Sequence, residues 1–278
     1  GCRFGCNFCM INIVNRTNTS ENISSADSKL MRHWDPNFFL DQLQFLYDND
    51  VKTIRLSDEM FFLNKKFYVP ILNGIIERGL KLNMWAYARV DTIREDQLEL
   101  FKKAGVNWLA LGIEAGNQDV RLDIDKGRFK QVNIREVVKL IQSFDINVLG
   151  NYIFGLPEDN LKTMQQTLDL ALELNTEHAN FYPCQALPGS PLYFEARKNN
   201  WDTPKTYEEY AFYSYECKPL PTKYISSKEV LEFRDSAFQK YFNNKNYLDL
   251  VEKKFGKHHR DNVLEMTKVK LKRKILDK

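Results

Sequence analysis

Trp108-Leu109-Ala110-Leu111-Gly112-Ile113-Glu114-Ala115-Gly116 is an almost unbroken apolar run that stops abruptly at a carboxylate set between small residues. A strand buried on both faces reads as a near-continuous hydrophobic run, and such strands belong to parallel sheets. In parallel α/β folds ligands bind just beyond the carboxyl ends of the strands, which is where Glu114 falls. Working outward, the same unit repeats on both sides. Toward the N-terminus, Arg94 to Ala104 reads as a helix stopped by Gly105, and Leu82 to Tyr87 as a strand. Asn64 to Arg78 is a helix bent at Pro70 and ended by Gly79, and Val51 to Leu56 a short strand. Pro36 to Asn49 is a helix capped by Asp35, with Phe39, Leu43 and Leu46 on one face. Toward the C-terminus, Ile134, Val137, Val138, Ile141 and Phe144 mark a helix of period 3.6. Val148 to Phe154 is the next strand, Leu161, Met164, Leu168, Ala171 and Leu172 stripe another helix, and Ala179 to Pro183 closes the series.

Strands alternating with helices argue for a parallel sheet with crossover helices. Five strands are expected, and the repeat ends near Pro191. A closed eight-stranded barrel typically takes about 250 residues, so an open partial barrel fits better. From about Tyr207 helices dominate, with Val230, Ala237, Phe238 and Tyr241 on one face and Val263, Met266 and Val269 on another. The expected organisation is an α/β partial barrel over residues 1–195 and a helical C-terminal extension over residues 205–278.

With 278 residues, 43% hydrophobic and 28% charged, the chain has the composition of a soluble globular protein. It has no apolar run approaching the roughly 20 residues of a membrane span, and no signal peptide is expected. The net charge of +3 is unevenly placed: residues 253–278 carry ten Lys and Arg against Asp261, Glu265 and Asp277. That tail lacks interleaved aromatics, so a solvated helix face is expected there rather than a nucleic-acid surface.

The chemistry begins at the first residues, Gly1-Cys2-Arg3-Phe4-Gly5-Cys6-Asn7-Phe8-Cys9. Three thiolates within eight positions can converge on one soft metal centre from a single loop. Iron–sulfur clusters are held by thiolates, and three ligands on a cluster of four irons leave one iron open. A structural zinc site asks for a fourth Cys or His at a regular offset. His258-His259 is the only adjacent pair, and Cys184 and Cys217 stand alone as buried small hydrophobes. Five cysteines, three of them in one motif, suit a reducing cytoplasm.

The residues after each strand complete the pattern. Ser57-Asp58-Glu59-Met60-Phe61 offers adjacent acids that can accept from an ammonium, with Glu59 first and Asp58 second. Ala88-Arg89-Val90-Asp91 places a cation that either forks a carboxylate or pairs with Asp91. Glu114 lies among Gly112, Ala115 and Gly116, where small side chains permit close approach of a ligand. Lys126-Gly127 follows in a loop, as a solvated lysine or an anion contact. Ile153-Phe154-Gly155-Leu156-Pro157-Glu158 and the rigid loop Leu187-Pro188-Gly189-Ser190-Pro191-Leu192-Tyr193 follow the last two strands.

The cysteine spacing, with Phe8 before the last thiol, and these strand-end motifs in this order resemble the radical S-adenosylmethionine (radical SAM) enzymes. The resemblance covers about Gly1 to Tyr193. It implies a six-stranded partial barrel, of which the first strand is expected upstream of Gly1 in a chain read as N-terminally truncated. It implies a 4Fe–4S cluster on Cys2, Cys6 and Cys9 whose open iron chelates S-adenosylmethionine. Ser57, Asp58 and Glu59 then match the segment that takes the cosubstrate's amino group, with Arg89 at its carboxylate. Glu114 matches the ribose contact, with Ala115 where the family has Ser, and Ile153 the adenine contact. In the family's G-x-I-x-G-x-x-E pattern the first Gly falls on Asn151, with Gly150 one step early. Ser57, Asp58 and the Pro-Gly-Ser-Pro-Leu-Tyr run resemble the branch with an N-terminal cobalamin-binding domain, a domain not in this chain. The implied activity is reductive cleavage of S-adenosylmethionine to a 5′-deoxyadenosyl radical, or cobalamin-dependent methyl transfer. The substrate is expected to be a small molecule to be methylated, cyclised or rearranged, and the electron donor a flavodoxin or ferredoxin. Two other readings stay open. A radical SAM methylthiotransferase would carry a further cysteine trio upstream and a small RNA-binding β-barrel downstream. A non-catalytic iron–sulfur or zinc protein would need a fourth ligand and leaves Glu59, Glu114 and Glu158 at successive strand ends unexplained.

Overall fold

The computed structural model describes residues 1–11, 13, 31–124 and 132–277. Five strands form one all-parallel sheet in sequence order, β1 (Thr53–Leu56), β2 (Asn83–Arg89), β3 (Val106–Glu114), β4 (Asn147–Phe154) and β5 (His178–Pro183). The sheet curls into a partial barrel. Helix α1 (Pro36–Asp48) precedes β1, and helices α2 (Lys65–Glu77), α3 (Glu95–Lys103), α4 (Gln118–Asp123), α5 (Ile134–Ser143) and α6 (Leu161–Leu174) make the crossovers. Local chemistry accounts for their ends. The Asp35 carboxylate accepts the N–H groups of Asn37 and Phe38, and Asn133 and Asn160 cap α5 and α6 the same way. Gly79 and Gly105 take positive φ just past α2 and α3, and a Cβ on Gly105 would strike the Leu82 carbonyl.

β3 is the axis of the sheet: Leu109, Ala110, Leu111 and Ile113 are fully buried. Outward-facing residues of the strands meet the helices in one apolar core, where Phe62 stacks on Phe101 at 4.1 Å. The same core takes in Ala237, Tyr241 and Phe242 of α9 (Ser227–Phe242) and Tyr247 and Val251 of α10 (Lys245–Phe255). The C-terminal helices therefore pack on the barrel itself. Lys254 of α10 reaches the buried Glu177 at 2.5 Å, and Glu177 also accepts the Val148 N–H at 2.8 Å.

Two expectations need correction, and one helix adds to the reading. Pro191–Lys198 is a helix (α7), because Ser190 caps it through the Tyr193 N–H and Pro191 supplies the preset φ of a first turn, and a short α8 (Tyr207–Tyr210) follows it. Gln118–Asp123, capped by Asn117, is a helix too short for its periodicity to show. Val269 is not on an apolar helix face: it caps α11 (Lys257–Lys268) and is 65% exposed. In the basic tail, Lys257, Arg260, Lys268, Arg273 and Lys274 pair with Asp261, Glu252, Glu265, Asp235 and Glu216. None of the helices among the described residues is long and apolar enough to cross a membrane.

Candidate active site

A cavity of about 380 Å³ opens at the carboxyl ends of the strands. Cys2, Cys6, Cys9, Phe8, Glu59, Arg89, Glu114 and Ile153 all line it, brought there from the first loop and four strand ends. Ser57 and Asp58 are exposed and are not part of its wall. Lys126 and Gly127 lie outside the described residues.

The cysteine loop is built by a turn in which the Cys9 N–H donates to the Cys6 carbonyl at 3.1 Å. Phe8 turns into a second apolar cluster with Ile153, Leu156, Cys184 and Leu192, directly below the strand ends. The Leu192 N–H donates to the Asn7 carbonyl at 2.9 Å, and a Cβ on Gly189 would lie 2.0 Å from the Ile13 side chain. The Pro-Gly-Ser-Pro segment, read as a rigid loop, thus braces the cysteines. Burial pushes the Cys9 thiol up to about 11 and raises Cys2 as well. Ligation must then displace protons from these sulfurs. Among the described residues no three His, Cys, Asp or Glu side chains meet at one point as the ligands of a single ion do. The sulfurs are instead distributed along one cavity wall, and a soft, three-thiol donor set is what an iron–sulfur cluster takes.

Arg89 is 7% exposed and gives its fork to Asp91, with Nε and Nη2 each 2.9 Å from a carboxylate oxygen. Its Nη1 lies 3.4 Å from the Cys6 Sγ, and its guanidinium covers the Phe4 ring at 3.9 Å. Of the two roles read for it, pairing with Asp91 is the one the geometry displays. Glu59 is half-buried, its Oε2 3.8 Å from the Gly1 nitrogen, so the carboxylate faces the cysteine loop. Glu114 is buried and sits at φ +67°, past a register shift between Gly112 and Glu114. For a residue with a Cβ this left-handed backbone is strained, and such strain concentrates at functional sites.

The small residues around Glu114 divide their tasks. Gly112 lines the cavity, but a Cβ on Gly116 would lie 2.4 Å from the Gln166 carbonyl of α6. Gly116 is small for helix packing, not for a ligand. Asn151 faces the cavity, held by bonds to the Leu111 carbonyl and from Asn180, whereas Gly150 leaves room for the Tyr152 ring. Glu158 is not in the cavity wall: it pairs with Lys223. Its neighbour Asp159 is fully buried and accepts the Gly155 and Leu156 N–H groups at 3.1 and 3.0 Å and the Thr163 hydroxyl at 2.6 Å. Burial pushes its carboxyl up to about 6.

Sequence reasoning missed Tyr87 and Tyr182 in the wall, although the period-2 alternation of β2 and β5 carried that signal. Phe212, from a distant connection, had no such signal.

Residues 1–171 match the radical SAM superfamily. The chain belongs to that superfamily. It is 26% identical over 243 residues to an uncharacterized methyltransferase of Pyrococcus horikoshii, covering 87% of this chain and 50% of that one. It is 26% identical to the bacteriochlorophyllide d C-12(1)-methyltransferase of Chlorobaculum tepidum, over 79% of this chain and 46% of the other. With the anaerobic magnesium-protoporphyrin IX monomethyl ester cyclase of Cereibacter sphaeroides it shares 24% identity, over 88% of this chain and 38% of the other. This radical SAM chain thus spans half or less of the length of these curated relatives. Its fold resembles the radical SAM methyltransferase TsrM of Kitasatospora setae, solved with cobalamin and a [4Fe–4S] cluster (TM-score 0.60, 17% identity, 72% of this chain and 38% of that chain). It equally resembles the cobalamin-dependent radical enzyme OxsB (TM-score 0.60, 13% identity, 96% and 44%).

Proposed function

We propose that the protein is a radical SAM enzyme that methylates or cyclises a small molecule, with a 4Fe–4S cluster on Cys2, Cys6 and Cys9. The observation that carries this reading is the convergence of the three thiols, Glu59, Glu114 and Ile153 on one cavity. When bound, the reduced cluster supplies the electron that cleaves the sulfonium of S-adenosylmethionine. The chain's own residues position and shield. Glu59 accepts from the cosubstrate ammonium, Glu114 from the ribose hydroxyls, and Ile153 packs on the adenine. Arg89, held by Asp91 beside Cys6, offsets the negative charge of the thiolates rather than clamping the cosubstrate carboxylate. Reaction class follows the relatives, which are methyltransferases and a cyclase by name. Cobalamin enters as a second cofactor through its presence in the structural neighbours and would be held by a segment outside this chain.

Anaerobic reconstitution tests the reading. About four irons per chain are expected, with loss of the cluster absorption on Cys2→Ala, Cys6→Ala or Cys9→Ala. With a chemical reductant, 5′-deoxyadenosine or S-adenosylhomocysteine should accumulate from S-adenosylmethionine. A full cluster in the Cys6→Ala protein would overturn the ligand assignment.

A further inference from the structure

The inner face of the barrel holds a cation that this reading has not used. In the parallel register Arg55 lies beside Trp85, and Trp85 beside Trp108. Tyr87, two residues on from Trp85, shares their face. The Arg55 guanidinium sits 4.6 Å from the Trp85 ring centroid and 5.5 Å from that of Tyr87, and its Nη2 donates to the Tyr87 hydroxyl at 2.7 Å. Among the described residues no carboxylate lies within ion-pair distance of it. Arg89 and Lys223, by contrast, are committed to Asp91 and Glu158. An arginine has five N–H donors in a planar fork, and a single bond to a tyrosine leaves most of them for another partner.

Its position gives that partner a shape. Tyr87 and Tyr182 line the cavity with the cysteines, while Trp85 and Trp108 line a neighbouring cavity of about 670 Å³ together with Leu149 and His178. Arg55 touches one ring from each cavity, Tyr87 of the first and Trp85 of the second. Trp108 is stacked on Phe255 at 5.7 Å and 15°, which fixes the plane it offers. We propose that this part of the lumen binds a flat, mainly apolar substrate bearing a carboxylate, and that Arg55 selects the carboxylate. The proposal rests on the radical SAM reading for the identity of the site as a substrate site. Arg55 is exposed to the lumen and flanked by two aromatic rings, and one guanidinium there balances one negative charge, which favours a carboxylate over a doubly charged phosphate. Aromatic faces favour a conjugated body over a sugar or an aliphatic chain.

The test uses 1-pyrenebutyrate and its methyl ester as probes, titrated into the reconstituted protein and read by energy transfer from tryptophan. The acid should bind the wild type at least about tenfold more tightly than the ester, and Arg55→Met should remove that preference while leaving the ester's affinity within about twofold. If Arg55 merely covered Trp85, both probes would weaken together, and the proposal would fall. Equal affinity of the acid for wild type and Arg55→Met, or no binding of the acid to the wild type, would also overturn it. Iron content and S-adenosylmethionine affinity, measured in the same two proteins, keep the readings apart. Their absence in the wild type defeats the radical SAM reading, whereas their retention in Arg55→Met with an unchanged acid preference defeats only the role of Arg55.

Discussion

The Leu192 N–H and the Asn7 carbonyl meet at 2.9 Å, tying the start of α7 to the middle of the cysteine loop across 185 residues of chain. Phe8, the next residue, packs in the same apolar cluster as Leu192. The placement of the three thiols is therefore set from the far end of the barrel repeat, by a hydrogen bond and a patch of buried surface.

Gly189 stands in this brace at φ +89°, with Ile13 against it. A β-branched side chain has no favourable conformation there, and the strain should be roughly 1–3 kcal/mol, borne locally. Gly189→Val is expected to release iron to a chelator several-fold faster than wild type. Unchanged release kinetics would mean that the brace does not govern the cluster loop.

Glu59 and Glu114 should contribute through charge-assisted acceptance from the cosubstrate. Losing one such bond costs roughly 1.5–3 kcal/mol, about ten- to a hundredfold in affinity. Glu59→Gln and Glu114→Gln are expected to weaken S-adenosylmethionine binding by that factor at unchanged iron content. Equilibrium dialysis of the reconstituted variants measures it, and wild-type affinity in both would displace the ligand from this cavity.

Gly116→Ala separates a packing role from a ligand role. The new Cβ would lie 2.4 Å from backbone of α6, which cannot yield as a side-chain tip can. Overpacking of this kind costs about 1–3 kcal/mol. The melting temperature should fall with no cosubstrate present. A variant of wild-type stability that fails only in cosubstrate binding would restore the ligand-approach reading.

Asp159 gives stability a pH dependence of known sign. Its carboxyl is held at about 6 in the folded protein, above its ordinary value of 3.8, by burial. The unfolded chain loses this proton first as pH rises, so the contribution is complete below about pH 4 and is lost as pH climbs through about 6. The span corresponds to roughly 3 kcal/mol. Asp159→Asn keeps an acceptor for the Gly155 and Leu156 N–H groups without the titration. Urea unfolding of both proteins at pH 4.5 and 7.5 should show the variant gaining relative stability at the higher pH, and a pH-independent difference would contradict the assignment.

By itself the sequence determined the order of strands and helices from Pro36 to Pro183 except for the short α4, because buried parallel strands and amphipathic helices write their periods into the chain and Asp35, Gly79 and Gly105 mark the ends. It also located the thiols and the acids after β1 and β3, since in this architecture a strand end is a site by topology. Tertiary structure alone decided what those groups touch. Arg89 could fork a ligand or Asp91 on any reading of Ala88-Arg89-Val90-Asp91, and only the packed strand end fixes the second. Gly116 looked like room for a ligand until α6 filled that space. Phe212 and the brace from Leu192 to Asn7 join residues far apart in the chain. Local patterns record which face of an element is apolar, but not which distant surface comes to cover it. That pairing is settled only when the whole core closes.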